Sequence, residues 1–177
     1  IASMTKPITS LAVLMLYEEG KFLLTDPVEK YIPEFANMRV IVPGAENADN
    51  PPTEPAKRPI TIRHLLLHTA GLSYGSGPHA KQYRGAGIGE LRNPEHTAKE
   101  LTLALAKLPL NFHPGEKYTY SLSDDVLGYL IEIVSGMPLD RFMEERVFKP
   151  LGMRDTFFYV PEEKKSRVAE VYRAEGN

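Results

Sequence analysis

The chain has 177 residues, of which 42% are hydrophobic and 25% are charged, and its formal net charge at pH 7 is −2. This composition is that of a globular protein with enough apolar residues for a sizeable core, and the lack of a basic surplus argues against nucleic acid as a partner. The chain has no cysteine, which excludes disulfides, thiol catalysis and cysteine-ligated metal sites.

The first predicted element is an amphipathic helix from Ser3 to Glu19, in which apolar residues recur at helical spacing. Pro7 has no backbone N–H and would clash with the carbonyl four residues back in a helix interior, so it fits only in the first turn. This places Ser3 at or next to the helix N-terminus. Gly20 follows as the predicted left-handed cap of the helix.

The next part of the chain predicts short elements separated by loops. Asp26 begins a short helix with a proline after it, and a strand is predicted at 38–42. The stretch 43–59 is predicted to be a loop because it holds five prolines. Thr61 then caps a short helix that is predicted to end near Gly71.

The second half of the chain predicts mainly helices. A glycine-rich loop is expected at 73–89, followed by a helix capped by Asn93. Ser121 and Asp124 fit a capping box before another apolar helix. A strand is plausible at 155–161. The predicted strands are too few and too scattered to form a self-sufficient sheet.

Ser3 and Lys6 lie three residues apart, on one face of the first predicted helix. Serine is a poor nucleophile at neutral pH and needs a base that takes its proton. Lysine can be that base only if burial or another cation lowers its pKa. The simpler interpretation is a capping serine beside a solvated lysine. S-x-x-K is, however, a signature of β-lactamases and penicillin-binding proteins.

Three stretches extend this pattern: "ASMTKPITSLAVLMLYEEGKFLLTDPVEKYIPEF", "ITIRHLLLHTAGL" and "YSLSDDVLG". In this order and at this spacing the chain resembles the penicillin-recognising serine hydrolases, and within them the family VIII carboxylesterases, which are similar to class C β-lactamases. The resemblance implies an α+β, β-lactamase/transpeptidase-like fold, with a helical lobe and an antiparallel sheet flanked by helices. Residues 1–177 are then expected to be a partial domain, mostly the helical lobe with the nucleophile helix, with the sheet and the flanking segments largely outside.

The resemblance also implies roles for individual residues. Ser3 matches the acylated nucleophile, Lys6 the lysine that activates it, and Tyr120 the tyrosine that acts as general base or proton relay. The Ser3 Oγ, the Lys6 Nζ and the Tyr120 hydroxyl are therefore expected within hydrogen-bond reach of one another. Leu122 occupies the substrate-binding position where lactamases have an asparagine. Leucine can neither donate nor accept a hydrogen bond, which disfavours β-lactams and peptides.

The predicted function is that of a serine hydrolase, a carboxylesterase, which cleaves short-chain carboxylic esters through an acyl-enzyme. Three alternatives stay open: a β-lactamase or D-alanyl-D-alanine carboxypeptidase, an acyltransferase on the same fold, and a catalytically inactive binding protein. The expected partner is a small-molecule ester. No cofactor or metal is implied, and no apolar run reaches the ~18 residues of a membrane span. The oligomeric state and the compartment are left open, with the cytoplasm slightly favoured over the periplasm or secretion.

Two weaker sequence patterns suggest other kinds of site. His64 and His68 have the spacing of two zinc ligands, but Leu65 replaces the glutamate of H-E-x-x-H and no third ligand is evident. The segment that begins at His68 is instead similar to the family's "HTSGL" stretch, which implies a supporting role beside the site. Asp124 and Asp125 are predicted to be capping and first-turn charges of a helix rather than a reactive carboxylate pair.

Overall fold

The computed structural model describes residues 1–44, 50–75, 80–92, 95–170 and 172. The chain divides into two compact units, Ile1–Leu139 and Asp140–Asn177. Helices dominate the described residues, and in chain order they are α1 (Thr5–Glu18), α2 (Ile62–Leu66), α3 (Ala80–Gly85), α4 (Ile88–Leu91), α5 (Ala98–Leu105), α6 (Ser123–Ser135) and α7 (Leu139–Met143). Short 3-10 turns at Ala2–Met4, Val28–Lys30 and Pro33–Phe35 supplement them in the first unit.

The core of the first unit forms around α6, against which α1, α2 and α5 all pack. Its buried apolar residues recur one, three and four positions apart, which makes one continuous stripe: Val126, Leu127, Leu130 and Ile131. From α1 come Ala12, Val13 and Leu16, each at most 1% exposed. Burying one such large aliphatic side chain stabilises a fold by about 1.5–3 kcal/mol, so the helices, rather than the sheet, hold this unit together.

The sheet of the described residues has two short strands, β1 (Arg39–Ile41) and β2 (Thr53–Pro55), which pair antiparallel with Arg39 opposite Pro55. The strand predicted at 38–42 is confirmed as β1. The loop predicted at 43–59 is wrong in part, because β2 lies within it; residues 45–49 of that stretch lie outside the described residues. The Arg39 guanidinium fixes the pairing, since it donates to the Thr53 carbonyl at 2.6 Å.

The helix boundaries follow from local chemistry at several points. Pro7 is the third residue of α1, and Gly20 has a positive φ of 71°, as predicted. Thr61 caps α2 by accepting from the His64 N–H, but α2 ends at Leu66, five residues before Gly71. The predicted cap of α2 is therefore confirmed, whereas its predicted end is too late.

Two other predicted helix starts need correction. The Asn93 cap lies outside the described residues, and α5 begins at Ala98, where Thr97 and Glu100 form the capping box. The capping box predicted for Ser121 and Asp124 is wrong, because α6 starts after Leu122 with no side-chain cap. The Ser121 hydroxyl bonds to other side chains instead.

The loop predicted at 73–89 is also wrong in part, because it contains α3 and the start of α4. Two buried side chains explain why these glycine-rich segments are helical: Tyr83 is 3% exposed and Ile88 is 1% exposed. Tertiary burial therefore outweighs the low helix propensity of glycine. Residues 76–79 of the predicted loop lie outside the described residues.

The second unit continues from α7 through a π-helical turn at Glu144–Phe148 and a 3-10 helix at Glu162–Arg167. The strand predicted at 155–161 is wrong, since this stretch forms turns and bends. Asp155 is held by two hydrogen bonds from Arg167, at 2.9 and 3.0 Å, and the sheet of the described residues consists of β1 and β2 alone. None of the described helices has both the length and the hydropathy needed to cross a bilayer.

Candidate active site

Ser3 lies in the 3-10 turn Ala2–Met4 that leads directly into α1. Its side chain is exposed. Ala2, immediately before it, has a φ of 46°, in the left-handed region that residues with a Cβ rarely adopt. Strained backbone of this kind is often found at functional sites. The start of α1 therefore presents an accessible hydroxyl next to the positive end of the helix dipole.

Tyr120 meets Ser3 across the site, with 2.5 Å between the Ser3 Oγ and the Tyr120 hydroxyl. The tyrosine lies on the extended segment before α6, which is tied to the region after α2 by backbone hydrogen bonds. The Thr119 N–H donates to the His68 carbonyl at 2.9 Å, and the Leu122 N–H donates to the Ser73 carbonyl at 3.4 Å. The structure thus joins two predicted site residues that are 117 positions apart in the chain.

Lys6 lies beside this pair but bonds to a different residue. Its Nζ donates to the Tyr74 hydroxyl at 3.0 Å and lies 4.6 Å from the centroid of the Tyr120 ring. The three predicted residues are therefore together, as expected. The expected Ser3–Lys6 hydrogen bond is not among those found in the described residues, whereas Tyr120 contacts both Ser3 and Lys6.

The charges of the site favour an ionised tyrosine. The neighbouring Lys6, and then the Ser3 hydroxyl, lower the pKa of Tyr120 below its ordinary value. Burial acts to lower the pKa of Lys6, but its contacts with Tyr120 and Tyr74 outweigh burial and raise the pKa above its usual range. Lys6 is therefore held as an ammonium, and the lowered pKa that a lysine base requires is not found.

Tyr74 is a site residue that the sequence analysis missed. Its ring stacks on that of Tyr120, with centroids 5.2 Å apart and planes inclined by 23°. The Arg92 guanidinium carbon lies 5.1 Å from the Tyr74 centroid. Tyr74 falls in a stretch predicted to be loop, and its position three residues after the glycine of "HTAGL" was the available signal.

Leu122 follows Tyr120 by two positions, yet its side chain is only 1% exposed. It packs into the core at the start of α6. Its predicted influence on substrates therefore comes from the absence of an asparagine amide at this position. The leucine side chain itself is not exposed to a substrate.

His64 and His68 separate into two different environments. The His64 Nδ1 accepts from the Thr61 N–H at 3.2 Å within the α2 capping box, whereas His68 lies next to Tyr120, with ring centroids 5.0 Å apart. In the part of the chain that the structure describes, no group of three or more histidine, aspartate or glutamate residues has the geometry to hold a metal ion.

The described fold is that of a β-lactamase-like protein, and the comparisons with known proteins agree. The family model described as beta-lactamase matches residues 1–177, so this chain belongs to the beta-lactamase family. Its relatives place it in the class C β-lactamase-like superfamily of serine hydrolases, as the sequence resemblance predicted.

Individual relatives cover the chain almost completely. Protein Rv1367c of Mycobacterium tuberculosis is 42% identical over 98% of this chain and 42% of its own length. Esterase EstB of Burkholderia gladioli is 37% identical over 95% of this chain and 40% of its own length. The solved structure of EstCE1, described as a hydrolase with promiscuous acyltransferase activity, is similar with a TM-score of 0.76 at 34% identity, over 93% of this chain and 40% of that one. The chain thus spans about two fifths of the length of these relatives.

Proposed function

We propose that this chain carries the nucleophile and general base of a carboxylesterase that cleaves short-chain esters through an acyl-enzyme on Ser3. The observation that carries this proposal is the 2.5 Å contact between the Ser3 Oγ and the Tyr120 hydroxyl. A short contact between a nucleophile and a group with a lowered pKa is the arrangement that activates a serine.

In the proposed mechanism, the Tyr120 phenolate accepts the proton of Ser3 as the Ser3 Oγ attacks the ester carbonyl carbon. The tetrahedral intermediate then collapses, the C–O bond to the alcohol breaks, and Tyr120 returns the proton to the leaving alkoxide. Water repeats the two steps on the acyl-enzyme and releases the acid. Lys6 stays an ammonium throughout and stabilises the phenolate by its charge.

The named relatives support hydrolysis of an ester. EstB is called an esterase, and EstCE1 a hydrolase with promiscuous acyltransferase activity. Transfer of the acyl group to an alcohol uses the same acyl-enzyme and differs only in the acceptor that attacks it. If the protein is an acyltransferase, an added alcohol should be converted to a new ester, and less acid should be formed by hydrolysis.

The test is covalent labelling of the intact protein with a fluorophosphonate, followed by peptide mass spectrometry. We expect one adduct, on the peptide that contains Ser3, and no adduct in Ser3→Ala. Ser10→Ala, which changes a serine about two turns further along the helix, is the matched control and should label normally. An unlabelled intact protein would favour the inactive binding protein and contradict the proposal.

We also predict a strong preference for esters over β-lactams. Leu122 offers no hydrogen bond to a substrate amide, and leaving such a group unpaired costs about 1–3 kcal/mol. Short p-nitrophenyl esters should therefore have a kcat/KM roughly 5- to 150-fold above that of penicillins. Steady-state kinetics on both substrates measures the ratio, and similar values for the two would refute the prediction.

Replacing Tyr74 with phenylalanine is expected to lower kcat about tenfold, the effect of one hydrogen bond to a charged group. The variant keeps the ring that stacks on Tyr120 but loses the oxygen that accepts from Lys6. Lys6 is then free to move away from the phenolate, so the acid limb of the pH–kcat profile should shift to higher pH. An unchanged kcat would mean that Tyr74 acts only through packing, and a drop in kcat without this shift would mean that its hydroxyl does not act through the pKa of Tyr120.

A further inference from the structure

Four polar side chains lie in series beside the Tyr120 ring and are called the relay here: Ser123, Ser121 and His68 are hydrogen-bonded to one another in turn, and His68 is within ion-pair distance of Asp124. The Ser123 and Ser121 hydroxyl oxygens are 2.8 Å apart, and Ser121 Oγ is 3.2 Å from the His68 Nδ1. The His68 Nε2 lies 3.3 Å from the Asp124 Oδ2. Both serines are at most 1% exposed, and the His68 and Asp124 side chains are 12% and 15% exposed. The proposed mechanism uses none of these groups.

The chemistry of the four groups fixes the direction of the relay. Burial, and then the charge of Lys6, lower the pKa of His68, so its ring is neutral at pH 7 and has one donor and one acceptor. Asp124 is mostly ionised at that pH, although burial raises its pKa to about 6. A carboxylate only accepts, so the His68 Nε2 carries the hydrogen and its Nδ1 accepts from Ser121. The Ser121 oxygen in turn accepts from Ser123.

His68 is joined to Tyr120 in three ways. Its ring centroid lies 5.0 Å from that of Tyr120, its carbonyl accepts from the Thr119 N–H, and its Nδ1 holds Ser121, the next residue after Tyr120. The His68 backbone has a φ of 53°, which is unfavourable for a residue with a Cβ. This conformation directs both the carbonyl and the ring of one residue to the segment that carries the general base.

We propose that His68 is a positioning residue, held in its Nε2–H tautomer by the Asp124 carboxylate so that its Nδ1 anchors Ser121 and fixes Tyr120 beside Ser3. The inference rests on the proposed roles of Ser3 and Tyr120. When Asp124 takes up a proton, its new O–H donates to the Nε2, the hydrogen of the ring moves to Nδ1, and the Ser121 hydroxyl must turn away from His68. The His68 Nδ1 is then a donor and no longer accepts from the Ser121 hydroxyl, and Tyr120 is less well fixed.

Other ionisable groups face this pair from each element around it. On α1 this is Lys6, on α6 it is Asp125, and on the extended segment before α6 they are Tyr118 and Tyr120. Lys6 stays charged, and Asp125 is the carboxylate of the described residues that lies nearest to Asp124 in the chain, so a loss of charge at Asp125 could mimic an effect of Asp124. It therefore supplies the control.

The first experiment compares Asp124→Asn with the wild type in the intact protein, by the second-order rate of fluorophosphonate labelling of Ser3. We expect the variant to be about tenfold slower at pH 8, because it lacks the carboxylate charge that favours the Nε2–H tautomer, and to approach the wild-type rate at pH 5, where the wild-type Asp124 is itself protonated. A purely structural defect would give the same ratio at both pH values. Asp125→Asn removes a charge near Lys6 without touching the relay, and an equal deficit in that variant would overturn the proposal.

The second experiment separates the two nitrogens of His68. His68→Asn keeps an acceptor near the Nδ1 position and tolerates a positive φ, whereas His68→Gln keeps a group near Nε2 and is closer in size. We expect His68→Asn to label several-fold faster than His68→Gln, since the Nδ1 anchor matters. If side-chain volume alone matters, the order reverses and the proposal fails.

The outcomes also separate this inference from the proposed function. If the wild type is not labelled at Ser3 at any pH, the proposed function fails. If the wild type is labelled and the Asp124→Asn ratio does not change with pH, only the positioning role of His68 fails. A His68 variant that does not fold, by the absence of a cooperative thermal transition, leaves the Asp124→Asn ratio to decide.

Discussion

Replacing Tyr120 with phenylalanine is expected to lower kcat on a short p-nitrophenyl ester by about 10²–10⁴-fold, the usual contribution of a general base. The change removes the hydroxyl that lies 2.5 Å from the Ser3 Oγ but keeps the ring that stacks on Tyr74. KM should change little, because the hydroxyl acts on the nucleophile and not on the bound ester. Steady-state kinetics of the intact protein measures both constants.

Tyr118→Phe is the matched control for this prediction. Tyr118 lies two positions earlier on the same extended segment and is 66% exposed, so losing its hydroxyl should leave kcat within about twofold, as for surface substitutions. If Tyr120→Phe retains most of the wild-type kcat, the proton of Ser3 must go elsewhere, and Lys6 would again become the candidate base.

Residues 1–177 expressed alone are expected to aggregate or to lack esterase activity. Three large side chains of α1 stay substantially exposed: Leu11, Leu14 and Tyr17, at 42%, 41% and 39%. An apolar face of this kind is usually covered by a partner or by further chain. The relatives are more than twice as long as this chain, and we propose that residues 1–177 are the nucleophile helix and helical lobe of a longer domain.

The expected loss of activity has a separate cause. In the family that the sequence resembles, the oxyanion hole combines the N–H of the nucleophile, here Ser3, with an N–H from a strand further along the chain, and the described residues after Tyr120 include no strand. Losing one such donor costs roughly 10²–10³ in kcat. Size-exclusion chromatography, thermal unfolding and esterase assays of residues 1–177 test both parts. A soluble monomer that unfolds cooperatively and has full turnover would contradict them.

The sequence predicted those parts of the fold that depend on local chemistry. Pro7 in the first turn and Gly20 after the last turn defined α1 because each acts through its own backbone. Local chemistry does not predict the helix around Tyr83. The composition of that segment favours a loop, and the burial of Tyr83 stabilises the helix. Residues 155–161 show the reverse case, because β propensity alone does not form a strand without a neighbour.

The candidate site likewise has some contacts that local sequence predicts and others that it does not. Ser3 and Lys6 are one helical turn apart, so their proximity is local, and the family resemblance added Tyr120. The hydrogen bond from Lys6 to Tyr74 spans 68 positions and the pairing of His68 with Asp124 spans 56. No periodicity or cap encodes such contacts. Asp124 does lie in the first turn of α6, as predicted, but that local position does not reveal its contact with His68.

The half-buried carboxylate of Asp124 has a consequence for the folding equilibrium. Its pKa is raised from the ordinary 3.8 to about 6 by burial, so the unfolded chain releases this proton more readily than the folded protein does. Its contribution to stability is therefore greatest below pH 3.8 and declines as the pH rises through 6. The difference of about two in pKa corresponds to about 3 kcal/mol. Asp124→Asn should accordingly unfold at a higher temperature than the wild type at pH 7 but not at pH 4, a stabilisation obtained at the expense of catalytic alignment.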